Sequence, residues 1–510
     1  MSTEDLSLPE GKTGVADATI LRVGSQKLSV LEKIGYSLGD LAANLIFQTL
    51  MAFLAFFYTD IYKIPAGKAS VVMLVGGVIG ACFNLVMGAI ADRTNTRWGK
   101  FRPWVLWTAI PFGVISLLAF TTPDFNESGK VIYAFVTYFL LVIVYSANNL
   151  PYSALSGVLT GDMKERNSLS SYRFVAVMVA QFIIQVLLLP LALSLGEGDK
   201  AKGFEKVMLV FAVTGVICFI ITFFTTRERI QPPKQQKTPV KQDLADLARN
   251  RPWLIMLALT ILVFITLALK GGMNIFYYKY FLTEQSEMAF LNKVGFDKII
   301  SGLSHVFNPA SFAEFSRPGS APYSAVSFTS AFSTIAMILG IFFSKSLADR
   351  FGKRNIFGTF LSLSAFCLFV IYFYSNSSVM AVFITQCVHG FLYGITIPLL
   401  WAMIADVADY SEWKNRRRAT AIVFSAMIFG LKVGLSVGGA LSAWLLSIFG
   451  YVADAPVQTD SATTGIKLLI SVLPGLLFIA SSLLLFGYPI NKSMELKIEQ
   501  ELKERNNNPI

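Results

Sequence analysis

Apolar runs of roughly 20 residues, the length that crosses a hydrocarbon core about 30 Å thick, recur throughout this chain and restrict it to very few folds. Val207 to Phe224, Ile356 to Tyr374 and Leu468 to Tyr488 reach or approach that length. The hydrophobic pattern predicts twelve spanning helices near 34–58, 68–91, 102–121, 131–153, 173–195, 206–226, 253–283, 325–347, 355–375, 379–405, 418–447 and 464–488. Several exceed the bare membrane thickness, which implies tilt or extension beyond the bilayer. Composition agrees: 15% of the 510 residues are charged and 54% are hydrophobic, whereas about a quarter of a soluble domain is charged. The expected class is an all-α membrane protein with about twelve transmembrane helices in two six-helix halves.

The placement of charge sets the expected topology. A formal net charge of +11 is compatible with a nucleic-acid partner, but the basic residues sit in short loops between apolar runs, where retention of those loops in the cytoplasm explains them. Arg93, Arg97, Lys100 and Arg102 follow the second span, Lys164 and Arg166 the fourth, Lys345, Arg350, Lys353 and Arg354 the eighth, and Lys414, Arg416, Arg417 and Arg418 the tenth. The loops after the ninth and eleventh spans contain no Lys or Arg. Both termini are therefore expected in the cytoplasm, in a bacterial inner membrane. The first thirty residues lack the apolar core and cleavage site of a signal peptide.

Residues 227–252, with Pro232 and Pro233, read as a basic cytoplasmic linker between an N-terminal half at 34–226 and a C-terminal half at 253–488. Residues 1–33 and 489–510 read as cytoplasmic end segments, and 284–324 as an external loop or cap. Ala91-Asp92-Arg93 with Gly99-Lys100 ends the second span, and Ala348-Asp349-Arg350 with Gly352-Lys353 ends the eighth, a weak internal repeat. Paired halves with a substrate site between them are a recurring transporter design.

An ionisable side chain inside the hydrocarbon layer costs roughly 2.5–3.5 kcal/mol on insertion scales, so each one is a functional candidate. Asp40 in the first span, Arg173 at the start of the fifth, Lys270 in the seventh and Lys432 in the eleventh are such residues, with His389 in the tenth a weaker addition. Asn44 and Gln48 lie one and two turns beyond Asp40 on the same helical face. The fourth span ends in Asn148-Asn149-Leu150-Pro151-Tyr152-Ser153, where amides and a freed backbone carbonyl offer the donors and acceptors a polyol needs. An aromatic face for a sugar ring is available from Tyr152, Tyr277, Tyr278 or Trp401. The plainer alternatives are a static interhelical ion pair for Asp40 and interface anchoring or packing for each aromatic.

Catalytic and metal-binding classes fit poorly. The four cysteines lie singly in apolar segments, without metal-ligand spacing, and read as packing residues. There is no Ser-His-Asp set, Gly-x-Ser-x-Gly elbow or Walker loop, and only His305 and His389 are present. Asp406 and Asp409 resemble the acidic pair of a membrane-embedded transferase, yet no second acidic motif faces them. Beside Lys414 they read better as gate residues, together with Asp92, Arg97 and Asp349. No cofactor is expected, and a monomer is. A transferase or a transport-inactive sensor remains the alternative.

Asp92-Arg93-Thr94-Asn95-Thr96-Arg97-Trp98-Gly99-Lys100-Phe101-Arg102-Pro103-Trp104 is similar to the signature of the glycoside-pentoside-hexuronide:cation symporters, a melibiose permease-like branch of the major facilitator superfamily. Asn149 to Leu155, Glu165-Arg166, Ser170 to Phe174 and Ala405 to Tyr410 resemble further family motifs in the same order. The resemblance implies a two-lobed alternating-access fold that takes up a sugar midway across the membrane together with H+ or Na+. Arg173 and Lys432 fall where melibiose permease has basic residues at its sugar and cation pocket. Its sodium-site carboxylates are replaced here by Gly80 and Asn84, and Asn149 and Asn44 stand where it has aspartates. The expected coupling residues are accordingly Asp40, as a proton carrier, and Asn84. Three intramembrane bases against one acid leave excess positive charge that a substrate carboxylate could neutralise, which makes Lys270 the candidate reader of a hexuronide, with Tyr277 and Tyr278 two turns on. A neutral glycoside, with Lys270 reaching to a membrane surface, is the alternative.

Overall fold

The computed structural model describes residues 27–160, 163–197, 199–229, 249–296, 298, 319–415 and 420–507. The linker residues 230–248, Arg416 to Arg418, His305 and most of the first thirty residues lie outside that set. The described residues form helices: α1 Val30–Phe56, α2 Ala66–Arg93, α3 Arg102–Leu118, α4 Glu127–Leu159, α5 Met163–Gly196, α6 Lys200–Thr225, α7 Arg251–Phe276, α8 Glu284–Lys293, α9 Ala321–Phe351, α10 Lys353–Tyr372, α11 Val379–Asn415, α12 Thr420–Ile448, α13 Asp460–Ile470, α14 Val472–Leu484 and α15 Lys492–Asn507. Without water in the bilayer core, a spanning segment must satisfy its own backbone groups, and helices do so. Among the described residues, eleven helical segments are long and apolar enough to cross, with α13 and α14 counted as one. The twelfth is α3, whose 17 residues reach roughly 26 Å.

Local sequence accounts for the boundaries. Ser29, Asn126 and Thr459 accept from the backbone amides of Glu32, Gly129 and Ala462, capping α1, α4 and α13. Gly352, at φ +84°, ends α9 and turns the chain into α10. The last span breaks at Ser471, four residues after which Gly475 donates to the Ser471 carbonyl. Pro474, one position earlier, has no N–H to give the carbonyl of Ile470. The region expected as an external loop is partly helical: α8 occupies its first ten residues and α9 begins at Ala321.

Two spans share an unusual ending. After α1, Phe57–Ile61 widens into a π turn in which the Tyr62 amide donates to the carbonyl of Phe57. After α7, Tyr277–Phe281 does the same, with the Leu282 amide donating to Tyr277. π turns of this kind frequently mark functional positions.

Large apolar side chains such as Ile110, Phe342, Phe366 and Phe486 are exposed on the outside of the bundle, where hydrocarbon would surround them. Between the first six spans and the last six, α1 packs on α7, α2 on α12 and α5 on α9. Small residues permit close approach within and between the halves. Gly77 of α2 faces Ser436 of α12, and Gly340, Gly390 and Gly394 bring α9 and α11 to backbone contact. The site described next lies where α1, α5, α7, α9 and α11 converge.

Candidate functional site

A cavity of about 160 Å³ lies between the halves and is lined by both. Gln181 and Gln185 of α5 face Lys270 and Asn274 of α7, Ser330, Ser333 and Thr334 of α9, and His389 and Tyr393 of α11. Asn274 donates to the Ser330 hydroxyl at 3.5 Å, and its side-chain oxygen has no partner among the described residues. His389 gives its Nδ1 proton to the Ser364 carbonyl 3.2 Å away, which leaves Nε2 as an acceptor in the neutral ring. The rings of His389, Tyr393 and Phe478 stack within 6.3 Å of one another. Lys270 forms no ion pair or hydrogen bond with a described residue. The cavity thus combines amides, hydroxyls, an aromatic face and one ammonium, a set that recognises a polyol.

Asp40 and Arg173 meet at a different place. Asp40 is 5% exposed and its carboxylate takes Arg173 Nε at 2.5 Å and the Tyr152 hydroxyl at 2.9 Å. Tyr36 donates to the Tyr152 carbonyl at 2.7 Å, the single Tyr152 hydroxyl proton is shared between Asp40 and the Tyr36 carbonyl, also 2.7 Å away, and the two rings stack at 4.6 Å beneath the Arg173 guanidinium. Asn44 donates to the Asp40 carbonyl. Lys432 lies elsewhere again, with Nζ 2.7 Å from Asn84 Oδ1 and 5.6 Å from the Tyr145 ring centre, against a small pocket lined by α1, α2, α4 and α12. The four candidate charges therefore occupy three stations: the α1–α5 ion pair, the α2–α12 amide contact and the cavity ammonium.

The remaining candidates are dispersed. Gln48 and Asn149 are half-buried. Asn148 donates to Thr108 at 2.8 Å within the first half. Trp401 lines an apolar groove of about 770 Å³ formed by α5, α9 and α11, separate from the polar cavity. Tyr278 donates to Thr329, and neither it nor Tyr277 lines the cavity with Lys270. The tyrosine that lines the cavity with Lys270 is Tyr393.

The charges expected at a gate are on the face of the bundle where α1 starts, here the terminal face. Asp406 pairs with Lys353 at 2.6 Å, and Lys353 also pairs with Glu495, all within the second half. Arg97 stacks over Trp98, and Asp349 and Asp409 are exposed. The Asp92 side chain lies outside the described set. The signature loop itself is held by Glu228, whose carboxylate accepts from the amides of Lys100, Phe101 and Arg102 at 2.7–2.8 Å.

The pairing that joins the halves is on the opposite, distal face. Lys279 of the α7 π turn binds Asp60 of the α1 π turn at 2.6 Å and Asp454 at 3.1 Å, and Lys63 binds Asp454 at 2.7 Å. Tyr280 and Tyr451 donate to Asp60, and Lys279 lies over the Phe56 ring. Of the ion pairs between described residues, Lys279 with Asp60 and Lys63 with Asp454 cross from one half to the other. Burial raises the Asp454 carboxyl's affinity for its proton, but Lys63 and Lys279 outweigh it and hold that carboxyl down to about 2. None of these gate residues was singled out from the sequence. The usable signal was the parallel between Phe56 to Asp60 and Phe276 to Tyr280, each an aromatic run carrying one charge at the end of the first span of its half.

Comparison with known proteins agrees with this architecture. Residues 35–310 and 321–492 match a family described as MFS/sugar transport protein. The chain is 35% identical over 477 residues to the inner membrane symporter YicJ of Escherichia coli strain K12, covering 94% of this chain and 95% of the relative. It is 31% identical over 478 residues to the isoprimeverose transporter of Lactiplantibacillus pentosus, covering 93% and 91%. Among solved structures, a D-xylose-proton symporter superposes with a TM-score of 0.55 at 11% identity, over 90% of this chain and 96% of that one.

Proposed function

The chain belongs to the MFS/sugar transport protein family, within the glycoside-pentoside-hexuronide:cation branch expected from its sequence, and from that premise we propose that this transporter imports a sugar by cation symport. The observation that carries the reading is the cavity shared by both halves. Its amides and hydroxyls match sugar hydroxyls, and Tyr393 offers a ring face. The basic loops lie on the terminal face, which the positive-inside rule assigns to the cytoplasm. The ion pairs between Asp60, Lys63, Lys279 and Asp454 then close the external face. In this reading the described arrangement is one of the two that alternating access requires, with the protein in a bacterial inner membrane.

Protons are favoured as the coupling ion, through Asp40. A proton taken up by Asp40 cancels the charge that holds Arg173, so binding it would loosen α1 from α5. At the other station the Lys432 ammonium already occupies the acceptor oxygen of Asn84, the position from which a sodium ion would draw a ligand. One observation favours a particular substrate: Lys270 faces the cavity without a carboxylate partner among the described residues. A hexuronide would supply one, and neutralising a buried ammonium would strengthen its binding.

Uptake by the purified chain in proteoliposomes, with and without sodium and with external pH followed, tests the proposal. Sugar-dependent alkalinisation that is lost in Asp40→Asn is expected. Sodium-dependent uptake without proton flux that survives Asp40→Asn would rule out proton coupling, and no uptake of any sugar would rule out the function.

A further inference from the structure

Glu287 occupies a position where an acid is costly. It lies on α8, the short helix that follows the α7 π turn after Leu282 and Thr283. Glu287, Phe290 and Leu291, spaced i, i+3 and i+4, form the buried face of that helix. Phe290 packs against Phe328 of α9 and Phe383 of α11. Glu287 is 0% exposed, and neither of its carboxylate oxygens has a hydrogen-bond partner among the described residues. The elements under α8 leave other polar atoms without a partner among the described residues: Ser324 and Ser327 on α9 and Gln386 Nε2 on α11.

An ionised carboxylate so placed would lose its hydration with nothing to replace it, so the neutral acid is the form that this packing tolerates. The surrounding titratable groups do not counter this. Glu284 on the same helix adds negative charge, the π turn after α7 presents Tyr277 and Tyr278, Cys387 lies on α11 beside Tyr278, and the first turns of α9 bring hydroxyls and Tyr323. Among the described residues no lysine or arginine pairs with Glu287. Burial, with a smaller contribution from Glu284, pushes its carboxyl from 4.5 up to about 9.

The acid is also mechanically tied to the distal gate. Lys279, which closes that face against Asp60, sits between Tyr278 and Tyr280 in the π turn. Tyr278 fastens the turn to α9 through Thr329 at 2.9 Å. Only Leu282 and Thr283 separate that turn from α8, so the segment that carries Lys279 runs directly into the helix that carries Glu287.

We propose that Glu287 is a proton-binding site coupled to the distal face: it holds a proton while that face is closed and releases it to water when the face opens. The site rests on the alternating-access reading above and is separate from Asp40. Because the closed form holds one more proton than the open form, closure is favoured in acid. It weakens by up to about tenfold per pH unit as pH rises through the window between 4.5 and about 9.

Spin labels on Ser128→Cys at the start of α4 and Val457→Cys beyond α12, with the native cysteines replaced, would read the separation of the halves at that face in the reconstituted full chain. The expected result is a closed population that falls with rising pH in the parent, stays closed across the range in Glu287→Gln, and still falls with rising pH, about a displaced midpoint, in Glu287→Asp. Glu287→Asp also serves if the glutamine variant does not fold, by displacing the midpoint without removing the pH response. A distance distribution that is unchanged with pH in the parent, or that shifts equally in parent and Glu287→Gln, overturns the proposal. The measurement needs no sugar. A Glu287-dependent pH response in a chain that transports no sugar would leave the proton site standing and remove the sugar reading.

Discussion

Replacing Lys279 by glutamine tests how much of the closed distal face rests on one buried charge. Asp60 keeps 1% of its side-chain surface exposed and Lys279 keeps 13%. Without the ammonium, Asp60 would keep the hydroxyls of Tyr280, Tyr451 and Thr59 and the longer-range charge of Lys200. Removing one partner of a buried ion pair costs about 3–5 kcal/mol because the other charge remains desolvated. Opening the face lets Asp60 hydrate, so the cost falls on the closed form alone. At 1.4 kcal/mol per tenfold, the equilibrium should move towards the open form by roughly 10²- to 10³·⁵-fold. Lys63 with Asp454 is the internal control. Its two side chains are 45% and 46% exposed, and an exposed pair contributes about 0–1 kcal/mol. Lys63→Gln should therefore shift the same equilibrium by less than about sixfold. The Ser128 and Val457 labels report both variants directly. If Lys63→Gln opens the face as far as Lys279→Gln, or if adding Asp60→Asn to Lys279→Gln fails to restore closure, the burial argument is wrong.

Further outcomes follow from other contacts. Asp40→Asn should leave Arg173, whose side chain is 27% exposed, without its carboxylate and cost less than the about 3–5 kcal/mol of a fully buried pair, read as a lowered Tm in detergent; Asp40→Asn combined with Arg173→Gln should recover most of the loss. Lys270→Gln should weaken competition by uronic acids while leaving neutral glycosides unchanged, and equal loss for both would remove the anionic reading. Gly394→Ala should place a methyl group against the Met337 backbone and separate α9 from α11, a collision that side-chain rotation cannot relieve. A loss of at least about 1–3 kcal/mol is expected, measured by thermal unfolding against Gly157→Ala, where a Cβ meets open space. As pH falls towards about 2, Asp454 should lose its pairing with Lys63 and Lys279. Its contribution to closure, present above the ordinary carboxylate range, is lost below it, opposite in sign to the effect of Glu287.

The span pattern was legible because it depends on solvent: a bilayer requires a length and an apolar composition that local sequence reveals. The same reasoning marked Asp40, Arg173, Lys270 and Lys432, since a charge inside an apolar run stands out. What local sequence lacks is which faces of distant helices meet. Gln181, Gln185, Asn274, Ser330, Ser333 and Thr334 line the cavity as uncharged polar residues, a kind common in spans, so nothing set them apart. Asn148 and Trp401 were selected for sugar-binding chemistry without knowledge of their facing. They point to Thr108 and to an apolar groove respectively. Asp60 and Lys279 escaped notice because a charge at the end of a span is ordinary; their significance comes from their pairing.

The two π turns make closure of the distal face a matter of angular phase. Successive residues of an α-helix step about 100° around its axis, so one surplus residue in the turn after α1 sets the bearing of Asp60, and one after α7 sets that of Lys279. Because both helices carry the same surplus, their tips stay in step. Deleting a single residue ahead of Asp60 would leave every charge in the chain intact yet swing that carboxylate by about 100°, away from its partner. The gate is thus encoded as much in counting as in charge.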